Sequence, residues 1–407
     1  MAGPLSHIRV LDLSRVLAGP WAGQTLADLG AEVIKVERPG PGDDTRGWGP
    51  PFLADQEGQP TSDAAYFLAA NRGKKSVTID FTRPEGQELV SRLAADCDIV
   101  LENFKVGGLA KYGLDYPSIK EINPGVIYCS ITGFGQTGPY RNRAGYDFLI
   151  QGMGGLMSVT GEPDELPGGG PVKVGVAIVD IFTGMYAVTA VLAALAHRDR
   201  TGEGEYIDLA LLDVQVATLA NQATNYLVSG SSPVRLGNAH PNIVPYQALA
   251  TGDGHIILAV GNDTQFSRFC AVVEHPELAD DERFKTNADR VCHRAELIPI
   301  IIAALKQRTS AEWIAAFEEA GVPCGPINTI AEVFDNPQVQ SRGMRVDVNH
   351  AAAGQIPLVG SPMKFSGAPL NDRQPPPRLG EHNDEVLTGM LGVTDDGLVR
   401  LKELGII

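Results

Sequence analysis

The chain of 407 residues is long for a single hydrophobic core, so two or three domains are expected. Hydrophobic residues make up 43% of it and charged residues 20%, which is typical of a globular protein. The formal net charge of −16 argues against nucleic acids and anionic membranes as partners, and it means that local cations must hold any anionic ligand.

The sequence predicts neither a disulfide framework nor a metal site. Its five cysteines are widely scattered, and none belongs to a Cys-x-x-Cys pair. Its eight histidines include no His-Glu-x-x-His motif. The first residues lack a basic region followed by an apolar run, so no secretory signal is predicted and a cytoplasmic location is expected.

The first half of the chain alternates strands with helices. Helices are predicted over Trp21–Leu29 and from Pro84 onward. Strands are predicted at Ile8–Leu13, Glu32–Glu37, Ser76–Asp80, Ile99–Leu101, Val126–Ile131 and Tyr206–Leu211. This βαβ order predicts an α/β fold in which a parallel sheet carries helices on both faces.

A long apolar segment, Ile181–Ala196, precedes the last of these strands. It has 16 residues, fewer than the roughly 20 that a membrane-spanning helix needs. We therefore predict a buried core helix that ends near Gly202, with cations in its last turn.

Asp180 stands where a glycine-rich stretch runs into this apolar segment. In the first turn of a buried helix, the free N–H groups and the helix dipole favour an ionised carboxylate. No neighbouring acid is evident in the sequence, so the pattern indicates a nucleophile rather than half of an acid–base pair. The alternative is that Asp180 only caps the helix.

Several basic residues are candidates for binding an anion. Arg38 follows the second strand, at the edge of the sheet where ligands of open α/β sheets bind. The run Asn71–Lys75 is basic, and Asn103 with Phe104 ends another strand. Solvated surface arginines, a core Phe and a capping Asn remain alternatives. The loop at 14–20 lacks the G-x-G-x-x-G spacing, so a nicotinamide dinucleotide is not predicted.

After residue 225 the pattern changes to that of a smaller α+β domain, at about 225–325. It contains a predicted strand at His255–Val260 and a helix over Ala311–Ala320 with Ser310 as its N-cap. The tail carries a segment at Gly354–Val359 and a final helix near Asp384–Leu391.

Six motifs together resemble class III CoA-transferases, the family of formyl-CoA transferase and carnitine CoA-transferase. They are Val10–Pro20, Leu29–Arg38, Asn71–Ser76, Glu102–Phe104, Gly175–Asp180 and Leu379–His382. Four more resemble a subgroup that moves CoA from succinyl-CoA to dicarboxylates such as glutarate: Gly42–Arg46, Tyr128–Gly133, Arg143–Asp147 and Ile243–Ala248.

The resemblance implies an interlocked homodimer. Each chain would have a Rossmann-like large domain, 1–224, completed by the C-terminal segment 326–407, and a small α+β domain, 225–325. Coenzyme A and its thioesters would be substrates together with a free carboxylic acid. No metal and no permanently bound cofactor is implied.

The resemblance also assigns residues. Asp180 falls on the catalytic aspartate, and Val16 and Ala18 fall in the loop that lines the thioester, where Leu17 replaces the Gln of formyl-CoA transferase. The positions that match CoA contacts are Arg38, Asn71, Arg72, Lys74, Lys75, Asn103, Phe104, Lys111 and Tyr146. The last of these occupies the place of a catalytic His in the related α-methylacyl-CoA racemases.

Two questions stay open at this point. Arg15 and His240 are candidates for binding the distal carboxylate of a dicarboxylic acceptor, and backbone N–H groups of the Val16–Ala18 loop and of Gly168–Gly170 are candidates for stabilising oxyanions. An α-methylacyl-CoA racemase and a CoA-binding protein without transfer remain alternatives. A phenol is a poor base for an α-proton at neutral pH, so Tyr146 argues against the racemase.

Overall fold

A computed structural model describes residues 3–407. The chain divides into two compact units. The first comprises the chain up to Gly155, Val174–Thr224 and Pro337–Ile407, and the second comprises Leu156–Lys173 and Asn225–Asn336. Residues 156–173, predicted within the large domain, thus belong to the second unit, and the chain returns to the first unit at Pro337 rather than at residue 326.

Residues 3–407 form thirteen strands. They are β1 (Arg9–Asp12), β2 (Glu32–Glu37), β3 (Phe52–Ala54), β4 (Pro60–Ala64), β5 (Lys74–Thr78), β6 (Ile99–Glu102), β7 (Ile127–Thr132), β8 (Glu205–Ala210), β9 (Tyr246–Ala250), β10 (His255–Ala259), β11 (Cys324–Gly325), β12 (Arg345–His350) and β13 (Gly354–Val359). The six strands predicted in the first half of the chain are confirmed as β1, β2 and β5 to β8. The hairpin of β3 and β4 was missed because its strands are only three and five residues long, too short to show an alternating pattern.

The same residues form sixteen α-helices. They are α1 (Ala18–Asp28), α2 (Ala65–Leu68), α3 (Pro84–Ala95), α4 (Tyr116–Ile122), α5 (Asp147–Met153), α6 (Ile178–Thr201), α7 (Leu211–Thr218), α8 (Ala220–Ser229), α9 (Asp263–Val272), α10 (Asn287–Cys292), α11 (Arg294–Leu305), α12 (Ser310–Glu319), α13 (Ile330–Asp335), α14 (Pro337–Ser341), α15 (Asn383–Gly389) and α16 (Asp395–Glu403). Pro84 opens α3 as predicted.

The first unit is built on a six-stranded parallel sheet with the order β5-β2-β1-β6-β7-β8. This is the strand order of the Rossmann fold, so the predicted α/β class and parallel sheet are confirmed. Neighbours β2 and β6 lie on opposite sides of β1, which makes β1 the point where the direction of winding reverses. The loops that follow β1 and β6 therefore diverge and leave a crevice at the carboxyl ends of the strands.

Alternating side chains of the strands pack into two separate cores. Leu11 and Ile34 face one core, which side chains of α3 and α15 complete. Val10 and Val33 face the other core, which side chains of α1 and α6 complete. Helices thus cover both faces of the sheet, and the C-terminal helix α15 takes part in the core of the first unit.

Helix α6 has 24 residues and is longer than predicted. By length and composition it could cross a membrane, so the argument against a span from its length was wrong. This is weak evidence for a membrane, because the core helix of a soluble protein meets the same test. Here one side of α6, which includes Val188 and Val191, packs in the core against the sheet and α1.

A glycine sets how closely α1 approaches α6. A methyl group on Gly184 would lie 2.7 Å from the carbonyl oxygen of Ala18 and 3.1 Å from the side chain of Trp21. Only glycine allows this approach without a shift of the backbone. Because Gly184 lies about one helical turn after Asp180, the contact brings the N-terminus of α1 and the first turn of α6 together.

The second unit contains the antiparallel sheet β11-β10-β9. Its core includes the aromatic rings of Phe269, Trp313 and Phe317 on α9 and α12. The N-cap of α12 is Thr309, not Ser310 as predicted, because Thr309 and Glu312 form a reciprocal capping box.

Candidate active site

The loop between β1 and α1, residues 13–17, adopts an unusual backbone conformation. Val16 has φ +71°, a left-handed conformation that a β-branched residue rarely adopts and that costs free energy unless neighbours enforce it. Asp43 Oδ1 accepts a hydrogen bond from the Val16 N–H at 3.3 Å. Lys35 Nζ donates to the carbonyl oxygen of Ser14 at 2.8 Å. The side chains of Asp43 and Lys35 thus fix the backbone of the loop.

Lys35 and Asp43 are themselves a fully buried ion pair, with Nζ and Oδ2 separated by 2.8 Å. Burial alone would raise the pKa of the Asp43 carboxyl, but Lys35 and hydrogen bonds from Thr45 lower it to about 2. The Asp43 carboxylate therefore stays charged at any physiological pH and continues to accept the hydrogen bond from the Val16 N–H.

A second buried ion pair lies beside the first. Lys74 Nζ contacts Asp12 Oδ2 at 2.9 Å and donates to the carbonyl oxygen of Pro20, in α1, at 2.8 Å. Burial lowers the pKa of Lys74 to about 8, while the charge of Asp12 opposes this shift. The two lysines thus each bind one carboxylate and one backbone carbonyl of the segment 14–20.

Asn103, directly after β6, joins the loop between β1 and α1 to the segment that follows β6. Its amide accepts from the Arg15 N–H at 2.9 Å and donates to the Arg15 carbonyl oxygen at 2.6 Å. The Arg15 guanidinium lies over the Phe104 ring, 5.0 Å from its centroid, and pairs with Asp44 at 3.4 Å. The loops after β1 and β6 are therefore fixed to each other.

Asp180 lies in the first turn of α6, as predicted, but a second acid lies beside it. Asp147, the first residue of α5, accepts with Oδ2 from the N–H groups of Val179 at 2.8 Å and Asp180 at 3.3 Å. Its Oδ1 accepts from Gln151 at 2.6 Å. Asp147 thus supplies the side-chain cap of α6, a function that Asp180 itself does not perform.

The electrostatic environment of Asp180 is the opposite of the prediction. Burial, and secondly the charge of Asp147, raise the pKa of Asp180 to about 7. The expectation of a strongly ionised carboxylate without an acidic neighbour was wrong. Asp147 takes the N–H groups that would have favoured the anion and adds a negative charge. Such a perturbed carboxyl group in a cavity is a mark of a functional site.

Asp180 lines a cavity of about 160 Å³, here called the small cavity. Its wall also contains the four segments 15–18, 103–106, 131–133 and 141–146. The small cavity therefore brings together Asp180 and the predicted residues Arg15, Val16, Ala18, Asn103, Phe104 and Tyr146.

A second cavity of about 380 Å³ is here called the large cavity. Its wall contains the cationic side chains of Arg38, Lys105 and Lys111, and also Asp44, which pairs with Arg38 at 3.8 Å. It shares Arg15, Phe104 and Lys105 with the small cavity. The two spaces thus adjoin along these three residues. Together they suit an elongated ligand with an anionic part in one and a reactive part in the other.

The basic run at 71–75 is not the open anion-binding patch that was predicted. Asn71, Arg72 and Lys74 are buried and line neither cavity. Arg72 pairs with Asp28 at 2.5 Å, and Lys75 pairs with Glu32 at 2.7 Å. Carboxylates within the fold neutralise these cations, so their side chains join β5 to its surroundings.

Candidate donors to an oxyanion are fewer than predicted. The N–H of Val16 is engaged by Asp43. The N–H groups of Ala18 and Gly19 open α1, where the helix dipole is positive. Gly168–Gly170 and His240 belong to the second unit, where His240 Nδ1 accepts from the Asn242 N–H at 3.0 Å. Their part in the site stays a prediction.

Three residues near Asp180 were missed by the sequence reasoning. Asp147 ends a motif used for the resemblance, and Lys105 directly follows Asn103 and Phe104, so both could have been found. The pKa of Tyr66 is raised by burial and then by the charges of Asp180 and Asp147, which places its phenol near them. No sequence signal marks Tyr66.

Comparisons with known proteins agree on one family. Residues 5–383 match the model for CoA-transferase family III. A succinate–glutarate CoA-transferase of Agrobacterium fabrum is 57% identical over 94% of this chain and 95% of its own length. A succinyl-CoA:glutarate CoA-transferase of Mus musculus is 45% identical over 99% of this chain and 90% of its own length. The crystal structure of a CaiB/BaiF family protein from Brucella suis is 54% identical, with TM-score 0.83, and covers 96% of this chain and 100% of that chain.

The raised pKa of Asp180 predicts a pH-dependent stability difference. The pKa rises from 3.8 to about 7 on folding, so folding favours the protonated acid. Its stabilising contribution is complete below about pH 4 and is lost as the pH rises through about 7. Asp180→Asn lacks this titration. Its melting temperature relative to that of the unmutated protein should therefore rise from about pH 4 to about pH 7 and stay constant above that.

Thermal unfolding followed by circular dichroism across this pH range tests the prediction. Asp147→Asn removes the second cause of the shift, so in that background the levelling should come at a lower pH. A difference between the two melting temperatures that does not vary with pH would show that Asp180 has an ordinary pKa.

Proposed function

The chain belongs to CoA-transferase family III, and we propose that it moves CoA from succinyl-CoA to glutarate, with Asp180 as the nucleophile. The observation that carries the mechanism is the position of Asp180 in a small cavity that adjoins a larger one, whose wall contains Arg38, Lys105 and Lys111. The donor succinyl-CoA and the acceptor glutarate are proposed from the names of relatives that are 57%, 45% and 44% identical to this chain.

The reaction proceeds through covalent intermediates on Asp180. Its carboxylate attacks the thioester carbonyl of succinyl-CoA and forms a mixed anhydride as the CoA thiolate leaves. The thiolate attacks the aspartyl carbonyl, which gives an aspartyl-CoA thioester and free succinate. Glutarate then attacks this thioester and forms a second mixed anhydride with Asp180 as the CoA thiolate leaves. The thiolate attacks the glutaryl carbonyl of this anhydride, which frees glutaryl-CoA and the Asp180 carboxylate. Each exchange retains an activated acyl group, so the chemistry balances without a further reagent.

The environment of Asp180 suits this task. With a pKa of about 7 the group is partly ionised at neutral pH, and a carboxylate that burial and Asp147 destabilise gains more by forming a neutral acyl derivative. In this proposal the N–H of Ala18, which opens α1 and lies in the wall of the small cavity, stabilises the tetrahedral oxyanion.

The large cavity holds the nucleotide end of CoA in this proposal. Arg38, Lys105 and Lys111 supply cations for the phosphates. The pantetheine arm passes Phe104, which lines both cavities, and so reaches Asp180.

Transfer is favoured over the racemase. Tyr146 lies in the small cavity, at the place where the racemases of the family carry a histidine. Since a phenol is a poor base at neutral pH, it does not suit removal of an α-proton. The curated relatives at 57% and 45% identity are named as transferases.

We also propose that the protein is a homodimer. Phe148 and Leu149 on α5 and Phe182 and Tyr186 on α6 are between 41% and 59% exposed in the single chain. Helices α5 and α6 contact each other, and we infer that these side chains form one apolar surface. Soluble monomers rarely expose large apolar patches, and such patches mark interfaces.

Light scattering coupled to gel filtration tests the dimer. The expected mass is twice the chain mass of 43.3 kDa, and Tyr186→Glu should lower it because a charge is costly at an apolar interface. Val399→Glu is the matched control, since Val399 is exposed on α16. A mass of one chain for the unmutated protein would rule out the proposal.

Asp180→Asn should abolish the formation of glutaryl-CoA from succinyl-CoA and glutarate, because the amide cannot form the anhydride. The fold and the affinity for CoA should be retained. Mass spectrometry of CoA esters measures the reaction, and hydroxylamine added during turnover should modify Asp180 alone. Residual activity above about one part in a hundred would contradict its role as a covalent nucleophile.

Arg38→Ala should raise the KM for succinyl-CoA roughly ten- to a hundredfold, with a smaller change in kcat, because a contact with a distant phosphate is lost equally in the ground and transition states. Arg342→Ala, a change at another exposed arginine of the first unit, is the control. Initial-rate kinetics measures both. If Arg38→Ala raised only the KM for glutarate, Arg38 would belong to the acceptor site instead.

A further inference from the structure

Between β7 and α5 the chain forms a closed loop, residues 133–145, here called the arginine loop. Its two ends touch, since a methyl group on Gly133 would stand 2.5 Å from Gly145 Cα. The Gln136 N–H donates to the carboxylate of Asp208 on β8 at 3.1 Å. The arginine loop is therefore fixed where its two ends meet and at Gln136.

Aromatic rings hold one cation of this loop in place. The Arg143 guanidinium lies 4.7 Å from the ring centroid of Tyr140 and 5.3 Å from that of Phe134. These two rings contact each other edge to face at 5.6 Å. Cation–π contacts orient a guanidinium without neutralising its charge.

Among residues 3–407 neither Arg141 nor Arg143 forms an ion pair with a carboxylate. Arg15 and Arg38, by contrast, both pair with Asp44. An exposed arginine is normally satisfied by water, but these two also line the small cavity that contains Asp180.

We propose that Arg143, with Arg141 beside it, binds the distal carboxylate of the dicarboxylic substrates while their other carboxyl group reacts at Asp180. The inference rests on the proposed function and extends it to the acceptor site. A second carboxylate in a cavity needs a cation, and the planar guanidinium binds carboxylates in a bidentate manner. Arg15, predicted for this role, already pairs with the carboxylate of Asp44.

The test compares two acceptors with the same five-carbon chain, glutarate and pentanoate, at saturating succinyl-CoA. Arg143→Gln should lower kcat/KM for glutarate roughly ten- to a hundredfold and leave that for pentanoate little changed. Where pentanoate is not turned over, its inhibition constant against glutarate is measured instead. Arg143→Lys keeps the charge but not the planar fork, so it should lose less than Arg143→Gln.

Arg15→Met, measured in the same assay, tests the alternative that Arg15 binds the distal carboxylate. A selective loss of glutarate in Arg15→Met but not in Arg143→Gln would overturn the proposal, as would an equal loss of both acceptors in Arg143→Gln. If the unmutated protein formed no glutaryl-CoA, the proposed function itself would fail and this inference with it. An active protein whose Arg143→Gln variant keeps its preference for glutarate would overturn the acceptor site alone.

Discussion

The site depends on two lysines buried under the loop after β1. A buried charge is costly unless it is paired and fully hydrogen-bonded. Lys35 and Lys74 meet this condition by binding the carboxylates of Asp43 and Asp12 together with backbone carbonyls of the segment 14–20. The same contacts that satisfy the ammonium groups hold Val16 in its left-handed conformation. Loss of either lysine would leave a carboxylate unpaired and release the loop, so stability and site geometry are coupled.

Two aspartates of the first unit show how position alone sets acidity. Asp43 lies against an ammonium group and has a pKa of about 2, whereas Asp180 lies against another carboxylate and has a pKa of about 7. Burial acts in the same direction on both. The partner therefore decides the outcome: the structural acid is kept permanently charged, and the proposed nucleophile is poised near neutrality.

The sequence predicted what local patterns and family motifs record. Apolar runs identified the strands of the parallel sheet, and the junction before an apolar helix identified Asp180. It failed where charged residues are buried, because Arg72 and Lys74 look like solvated cations until their carboxylate partners are known. It also failed for Asp147, which reaches Asp180 only through the packing of α5 against α6. Both failures concern pairings between distant segments, which no local pattern contains.

The contact between Gly133 and Gly145 has a consequence for how the enzyme could change over evolution. Because the loop begins and ends at one point, residues between the two glycines can be exchanged without moving the start of α5 and therefore without moving Asp147. The part of the small cavity's wall that contains Arg141 and Arg143 can thus diverge, while Asp147, whose charge contributes to the raised pKa of Asp180, stays in place. Such a separation lets one scaffold acquire new acceptor acids through changes in a single short segment.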